Sequence, residues 1–428
     1  MISKESTFQN VTISVILPVY NVEPWIDDCI SSLKKQKLTG LEFIFIDDCS
    51  TDNSMRKVEA WADEDERVRI IRNPQNMGSG PSRNAGIDAA GGEYYSFIDP
   101  DDLISADFYE LLYAKAVETG CDIIKGVRIS FEDGDDISRV TTAKAESALN
   151  SRIMRLLNNN MPLYNGFTHE HQSAIFKASL FEDENVRYGS SCVSQDVTFL
   201  LKVCYNTTNI AFQEGSIYYY RKREGAATSN YTIRRAMAQL LSMEETLSYL
   251  KTKEDFPSEH HISYIGVRLK GYHSSFCYAS KDEFVSSQTY EEYYQRFSQM
   301  IESIGGSGLL KSRFPELDVY LNYKHLIPYS IRNGEVLFTD GMECWTDFLV
   351  RHPRLKDTDY YRGYATAMRR SWYSFHKAGN NKDIRKSWIR FCKERLPRLS
   401  TYDRFRVLMH ALPKGFSAVL RRIMTRTI

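Results

Sequence analysis

The sequence predicts an α/β fold with a mostly parallel sheet, followed by a mainly α-helical C-terminal domain. Two observations carry this prediction. Short β-branched or aromatic runs alternate with helical apolar spacing over the first 120 or so residues, the pattern of crossover-connected parallel strands. From about Thr232 the apolar residues recur at helical spacing instead. At 428 residues the chain is too long for one average domain. Residues 1–230 are expected as the α/β domain, with halves near 1–120 and 121–230, and residues 231–428 as the helical one.

Val11 to Val19 (VTISVILPV) is a buried strand, closed by Pro18. Pro24 starts a helix running through Ser32. Leu41 to Ile46 is a second strand, ending in Asp47 and Asp48, before a helix over Ser54–Ala62. Val68 to Ile71 is a third strand. A turn-rich stretch follows, then a helix over Arg83–Ala89. Tyr94 to Ile98 is a fourth strand, which Pro100 prevents from extending. Its end carries three carboxylates, Asp99, Asp101 and Asp102, crowded enough to need a cation or a donor network among them. A hard divalent ion that also takes phosphates is the simplest answer. The alternative is an acidic turn before a helix cap. Polar residues cluster after several strands, the rim where open α/β sheets bind ligands.

Gly78-Ser79-Gly80 begins like a dinucleotide fingerprint, but Arg83 stands where the third glycine belongs, and the segment follows the third strand rather than the first. A hydride-transfer reading is weak, and no Walker A pattern exists. The eight cysteines show no paired CxxC spacing, which argues against a zinc site or a disulfide framework and for a reducing compartment. MISKESTFQN has no apolar signal region, and no apolar run approaches a membrane span of roughly 20 residues. A cytoplasmic protein is expected, with peripheral contact to the membrane's inner face as an option.

Taken together, PVYNVEPWIDDCISSL, FIFIDDCSTDNS and NMGSGPSRNAGIDAAGGEYYSFIDPDD resemble the signature of family 2 glycosyltransferases. The resemblance is sharp over the first 105 residues and weaker to about 230. It implies a GT-A fold, a Rossmann-like nucleotide-sugar-binding domain, and inverting transfer from a nucleoside diphosphate sugar, with UDP expected. Pro18 and Tyr20 would lie against the base, and Asp47 or Asp48 would accept from an imide N–H. Arg83 would reach the ribose or diphosphate. Asp99 and Asp101 match the DxD motif, with Asp99 near the ribose and Asp101 on Mg²⁺ or Mn²⁺. Asp102 is either an acceptor contact or the cap of a helix over Ser105–Thr119.

In the second half, Cys121–Ile129 is a strand, Phe131–Asp136 an acidic turn and Val193–Cys204 a helix. The family's acidic pair at that helix is Gln195-Asp196 here, so Asp196 is the candidate general base. Gln195 removes a like charge beside it and remains a candidate acceptor contact. The alternative for Asp196 is a first-turn carboxylate favoured by the helix dipole. His169 and His171 fall where acceptor contacts lie in the family; their spacing makes a zinc site the weaker reading. The aromatic strand Ser216–Arg223 ends in Arg221 and Arg223, candidates for a diphosphate clamp. The QxxRW motif of processive synthases is missing, which favours one sugar per encounter.

Helices are expected over Ile233–Leu250, Ile262–Ala279, Tyr290–Ile304 and Leu317–Ile327. From Tyr361 the chain holds about 17 Lys and Arg against about three acids, and its end could form a basic amphipathic helix on an anionic membrane. An oligomerisation helix is the alternative; nucleic acid is not expected, since no recognition module accompanies the charge. The expected acceptor is a glycan or lipid-linked glycan of a capsule, lipopolysaccharide or wall polymer. A non-catalytic assembly scaffold and a nucleotidyltransferase are the rival readings.

Overall fold

The fold is that of a computed structural model, which describes residues 11–137, 162, 164, 171–223, 232–282, 287–304, 307–314 and 317. The chain divides into two compact units, Met1–Ile265 and Gly266–Ile428. The expected helix Leu317–Ile327 beyond its first residue and the basic tail lie outside the described residues.

In the first unit β1 (Ile13–Val19), β2 (Leu41–Asp47), β3 (Val68–Arg72) and β4 (Tyr94–Phe97) run parallel, linked by α1 (Ile26–Lys34), α2 (Ser54–Ala62) and α3 (Ser79–Ala89). After β5 (Leu103–Ile104) and α4 (Phe108–Thr119) come β6 (Ile123–Glu132), β7 (Ala174–Lys177), α5 (Gln195–Asn206), β8 (Ile210–Lys222) and α6 (Ile233–Leu250). The strands form one sheet in the order β3-β2-β1-β4-β7-β6-β8-β5. β7 is antiparallel to both β4 and β6, and β5 is antiparallel to β8.

β1 and β2 are buried along almost their whole length, as a sheet covered on both faces requires. Val15, Leu17 and Phe43 pack with Ile26, Cys29 and Leu33 of α1 and Val58 and Trp61 of α2. On the other face Gly86 of α3 lies against Ile16 and Ile46, where a Cβ would overlap Ile16. Because β1, β2 and β4 are parallel, their C-terminal ends share one rim. Register fixes it: Val19 pairs with Asp47, and Ile16 with Phe97.

β1 does not stop at Pro18. Ile16 O still accepts from Ile98 N at 3.1 Å, the last bond toward β4. Two residues on, Pro18 faces the same side, where β4 has ended, so its missing N–H costs no ladder bond. The helix expected at Arg83 begins four residues earlier, at Ser79, with Pro81 tolerated in its first turn. β8 begins at Ile210 rather than Ser216. Its first part pairs with Ile123–Lys125, and the register shifts before Val127.

The second unit takes the C-terminal part of α7 (Glu259–Asp282) with α8 (Ser287–Glu302) and α9 (Ser307–Arg313). Its aromatics are core: Phe276 stacks on Tyr293, and His273 Nε2 lies 3.0 Å from Tyr294 Oη. None of the described helices is long and apolar enough to cross a membrane.

The turn entering β3 gives a pH test. Asp65 accepts from Arg67 Nε at 2.9 Å, a terminal guanidinium nitrogen at 2.8 Å, Arg67 N at 3.1 Å and Trp61 Nε1 at 3.2 Å. The Arg67 hydrogen bond pulls the carboxyl down to about 2, against burial. A depressed carboxylate stabilises the fold above its unfolded pKa and loses that contribution as pH falls through the folded value. Asp65→Asn should therefore cost roughly 1–2 kcal/mol at pH 7, allowing for solvent screening. In urea unfolding at stepped pH, that gap should close between about 4 and about 2.

Candidate functional site

β4 leaves the sheet into a turn: Asp102 N donates to Asp99 O at 3.0 Å, with Pro100 at the position whose φ suits it. The three carboxylates of this turn have separate partners. Asp99 Oδ1 accepts from Arg83 at 2.5 Å and Oδ2 from Gln172 Nε2 at 2.9 Å. Asp101 Oδ2 accepts from Arg223 Nε at 2.7 Å. Asp102, fully buried, accepts from Tyr218 Oη at 2.5 Å and Arg221 N at 2.7 Å.

The electrostatics follow. Burial is the largest single influence on Asp99 and opposes its ionisation, but the Arg83 charge and the hydrogen bonds from Gln172 and Arg83 are among the influences that together hold the carboxyl below the usual range. Burial, and then Asp99, push Asp101 up despite Arg223. Burial with Asp101 and Asp99 pushes Asp102 up much further. Asp102 is thus turned inward and does not cap α4. It pins β8 to the turn, and Asp107 occupies the position before α4.

The base-side rim forms where β1 and β2 end. Tyr20 is 49% exposed, and Pro18 is buried inside β1, so of the pair only Tyr20 offers open surface. Asn21 and Cys49 turn the two exits with positive φ (50° and 64°), unusual outside glycine. Asp47 Oδ1 accepts from Ser50 N at 2.9 Å. Asp48 is buried: Oδ1 accepts from Asn73 Nδ2 at 2.7 Å and Met77 N at 2.8 Å, Oδ2 from Gly78 N at 2.8 Å. Three of its roughly four acceptor positions are engaged in tying down the loop between β3 and α3.

Arg221 in β8 and Arg223 just past its end differ. Arg221 is buried and donates to Asp101 O (2.8 Å), Asp133 (2.7 Å) and Asp28 (2.9 Å), with its guanidinium against Phe131. These bonds tie the end of β8 to α1, the Asp101 turn and the turn after β6. Arg223 is more open, and its guanidinium lies 4.1 Å from the Trp25 ring centre while it holds Asp101. Trp25 Nε1 donates to Asp133 at 3.1 Å.

Across from the carboxylates, Asp196 sits partly buried in the first turn of α5, after Ser194 at φ 59°. Its charge supports the Arg83 guanidinium and acts on the Tyr188 hydroxyl. Arg83 is therefore ion-paired to Asp99 and within electrostatic reach of Asp196. The neighbouring Gln195 is buried, and its Nε2 donates to Ser79 Oγ, packing the start of α5 onto the start of α3. His171 is also turned inward. It is buried among Phe97, Tyr188 and Phe199, and burial, then Arg83, push its pKa well down, so the imidazole is neutral. His169 lies outside the described residues. Sequence reasoning missed Gln172, Tyr218, Trp25, Asp28 and Asp133, whose partners are 73 to 193 residues away.

With this geometry in place, relatives can be compared. Residues 14–184 match the family described as Glycosyl transferase family 2. This segment is a family 2 glycosyltransferase domain. Glycosyltransferase GlyA of Streptococcus pneumoniae is 28% identical over 261 residues, 59% of this chain and 36% of that protein. Glycosyltransferase GlyG of the same organism is 27% identical over 222 residues, 50% of this chain and 72% of that protein. The chain thus spans about a third of GlyA's length. TarS residues 1–349 of S. aureus, solved with UDP-GlcNAc, superpose with TM-score 0.56 at 21% identity, over 76% of this chain and 92% of that one. The fold is GT-A.

Among the described residues of the family 2 domain, no three or more His, Cys, Asp or Glu side chains converge as a metal cage. Asp99 and Asp101 fit a different kind of site. They are hard oxygen donors held near each other, and Asp101 is an acid that a nearby cation would keep ionised. Such a pair suits an ion that takes one or two carboxylates and completes its shell with phosphate oxygens and water.

Arg83 is the test of the site's integrity. Arg83→Ala leaves Asp99 without its cation and should lower stability by about 3 kcal/mol. Pairing it with Asp99→Leu should recover most of that loss in chemical denaturation, since the unpaired charge is removed.

Proposed function

We propose that this chain is a metal-assisted inverting glycosyltransferase that moves a sugar from a UDP-sugar to a hydroxyl of a growing surface glycan. The observation that carries the reading is the carboxylate turn after β4, where Asp99 is ion-paired to Arg83 and Asp101 to Arg223, with Asp196 close enough for its charge to act on Arg83. A donor diphosphate bound at the turn and an acceptor activated by Asp196 would then meet beside one guanidinium.

Each residue takes a role from its surroundings. Tyr20, the exposed aromatic of the rim, stacks on the base. Asp47, or the remaining acceptor position of Asp48, takes the imide N–H. Asp99 orders the ribose side through Arg83, and Asp101 with Asp99 holds Mg²⁺ or Mn²⁺. The ion offsets the charge that develops on the leaving nucleoside diphosphate. Arg223, already beside Asp101, adds a second positive charge to the diphosphate.

Transfer is a single displacement. Asp196 takes the acceptor hydroxyl's proton as its oxygen bonds to the anomeric carbon. The bond from that carbon to the diphosphate oxygen breaks, and the nucleoside diphosphate leaves with the electron pair. Attack opposite the leaving group inverts the anomeric centre.

The support for UDP and for a surface polymer comes from relatives. TarS was solved with UDP-GlcNAc, and its curated name is poly(ribitol-phosphate) beta-N-acetylglucosaminyltransferase; it is 28% identical to this chain over 225 residues. A lipid-linked acceptor would suit peripheral membrane contact through the basic tail, which lies outside the described residues.

The deciding experiment is calorimetric titration of the purified chain with UDP, GDP and CDP, with and without Mn²⁺. UDP should bind only with the ion, and Asp101→Ala should weaken it at least about tenfold. A folded protein that binds none of the three leaves the assembly-scaffold reading in its place. Asp196→Asn should keep UDP affinity within about twofold while turnover falls by about 100-fold or more.

A further inference from the structure

The helix after β8 has its own connection to the site. Four residues of α6, Ala238, Ser242, Glu245 and Thr246, recur at helical spacing and so share one face. That face meets α5 and the segment leading into it. Ser190 donates to Glu245 Oε1 from both its backbone N and its Oγ, each at 2.8 Å. Gly189 is packed so closely that a Cβ would overlap the Glu245 carboxylate. Ser191 Oγ lies 2.7 Å from Ala238 O. Ser242 Oγ donates to Ser194 O at 2.9 Å, and Thr198 Oγ1 donates to Ser242 O at 3.0 Å.

These bonds converge on an unfavourable piece of backbone. Ser194 has φ 59°, and it immediately precedes Gln195 and Asp196. A non-glycine residue in this region is disfavoured and persists only where its surroundings over-determine it. Here α6 supplies that constraint from two places, Ser242 on the Ser194 carbonyl and Glu245 on Ser190. The first turn of α5, and with it the Asp196 carboxylate, is aimed by a helix some 50 residues later in the chain.

We infer that Ser242 and Glu245 are positioning residues that fix the orientation of the Asp196 carboxylate. The functional domain accordingly extends through α6, beyond the boundary near residue 230 that the sequence pattern marks. This rests on the reading of Asp196 as the general base. Neither side chain touches donor or acceptor in this role; each acts through the backbone of residues 189–194.

The test separates aim from binding. Ser242→Ala, Glu245→Ala and Glu245→Gln are compared with Asp196→Asn in the full chain. UDP release from UDP-GlcNAc, UDP-glucose and UDP-galactose gives kcat in Mn²⁺, and calorimetry gives UDP affinity. Ser242→Ala and Glu245→Ala should lower kcat between about tenfold and 100-fold, as a misplaced base does, with UDP affinity changed less than about twofold. Glu245→Gln, whose amide oxygen still accepts from Ser190, should retain most of the rate. Ser242→Ala deletes one oxygen atom and carries the test if Glu245→Ala does not fold. Wild-type kcat in Ser242→Ala, or parallel loss of kcat and UDP affinity, overturns the inference. If Asp196→Asn is inactive in that case, only the inference has failed; if Asp196→Asn turns over normally, or the wild type releases no UDP from any of the three sugars, the reading beneath it has failed too.

Discussion

Three carboxylates in four residues, at the end of one strand, cannot be left without compensation in a partly dry environment. Much of the first unit's tertiary arrangement supplies that compensation. Arg83 comes from α3, Gln172 from the residues before β7, Tyr218 and Arg221 from β8, and Arg223 from just past its end. Asp28 and Asp133 in turn hold Arg221 in place. The short strand β5 follows from the same constraint: with Asp102 tied to the backbone of Arg221, Leu103 and Ile104 lie alongside Tyr219 and Tyr218.

This constraint separates what the sequence discloses from what it withholds. The parallel half was readable because β1 and β2 are buried on both faces, so their sequences are nearly continuous apolar runs with little ambiguity. The strand-end carboxylates, Arg83 and Asp196 were readable as chemistry by residue type, motif and position. Their partners were not. Nothing local marks Gln172 as the donor to Asp99, or Trp25 as the surface against which Arg223 lies, because each contact is made only once distant strands pair. The direction in which neighbouring side chains face was hidden for the same reason. Asp102, His171 and Gln195 are residue types that contact ligands, and each stands beside the site, but burial turns all three inward.

The pair Arg221 and Arg223 shows how two residues at one strand's end divide structural and chemical work. Alternation along the expected strand Ser216–Arg223 points residues 221 and 223 to the same side of the sheet, so sequence alone treats them alike. Arg221 reaches three oxygen partners and is almost closed to solvent. Arg223 stands just past the strand's end, with an indole face on one side and Asp101 on the other. A guanidinium engaged with three partners exchanges them only at high cost, whereas one with a single carboxylate partner and a stacking contact can trade that partner for phosphate at little.

Arg83 imposes a further limit, which accounts for the neutral residue beside Asp196, the proposed base. The guanidinium is buried, ion-paired to Asp99 and favoured also by the Asp196 charge. One cation is therefore already shared by two acids. Residue 195 is buried at the joint between α3 and α5, its amide bonded to Ser79 and its oxygen pressed against the space beside Gly80. A glutamate there would place a third negative charge near the same cation, with its second oxygen in a space where a Cβ does not fit. Its desolvation would have to be offset by raising its own pKa or that of Asp196, and a base that binds its proton more tightly in the resting state is less often free to accept one. Glutamine fills the same volume, keeps the hydrogen bond to Ser79 and adds no charge. Losing the family's acidic neighbour is thus compatible with keeping its base, because in this packing the neighbour's position is part of the joint that holds the two helix starts together.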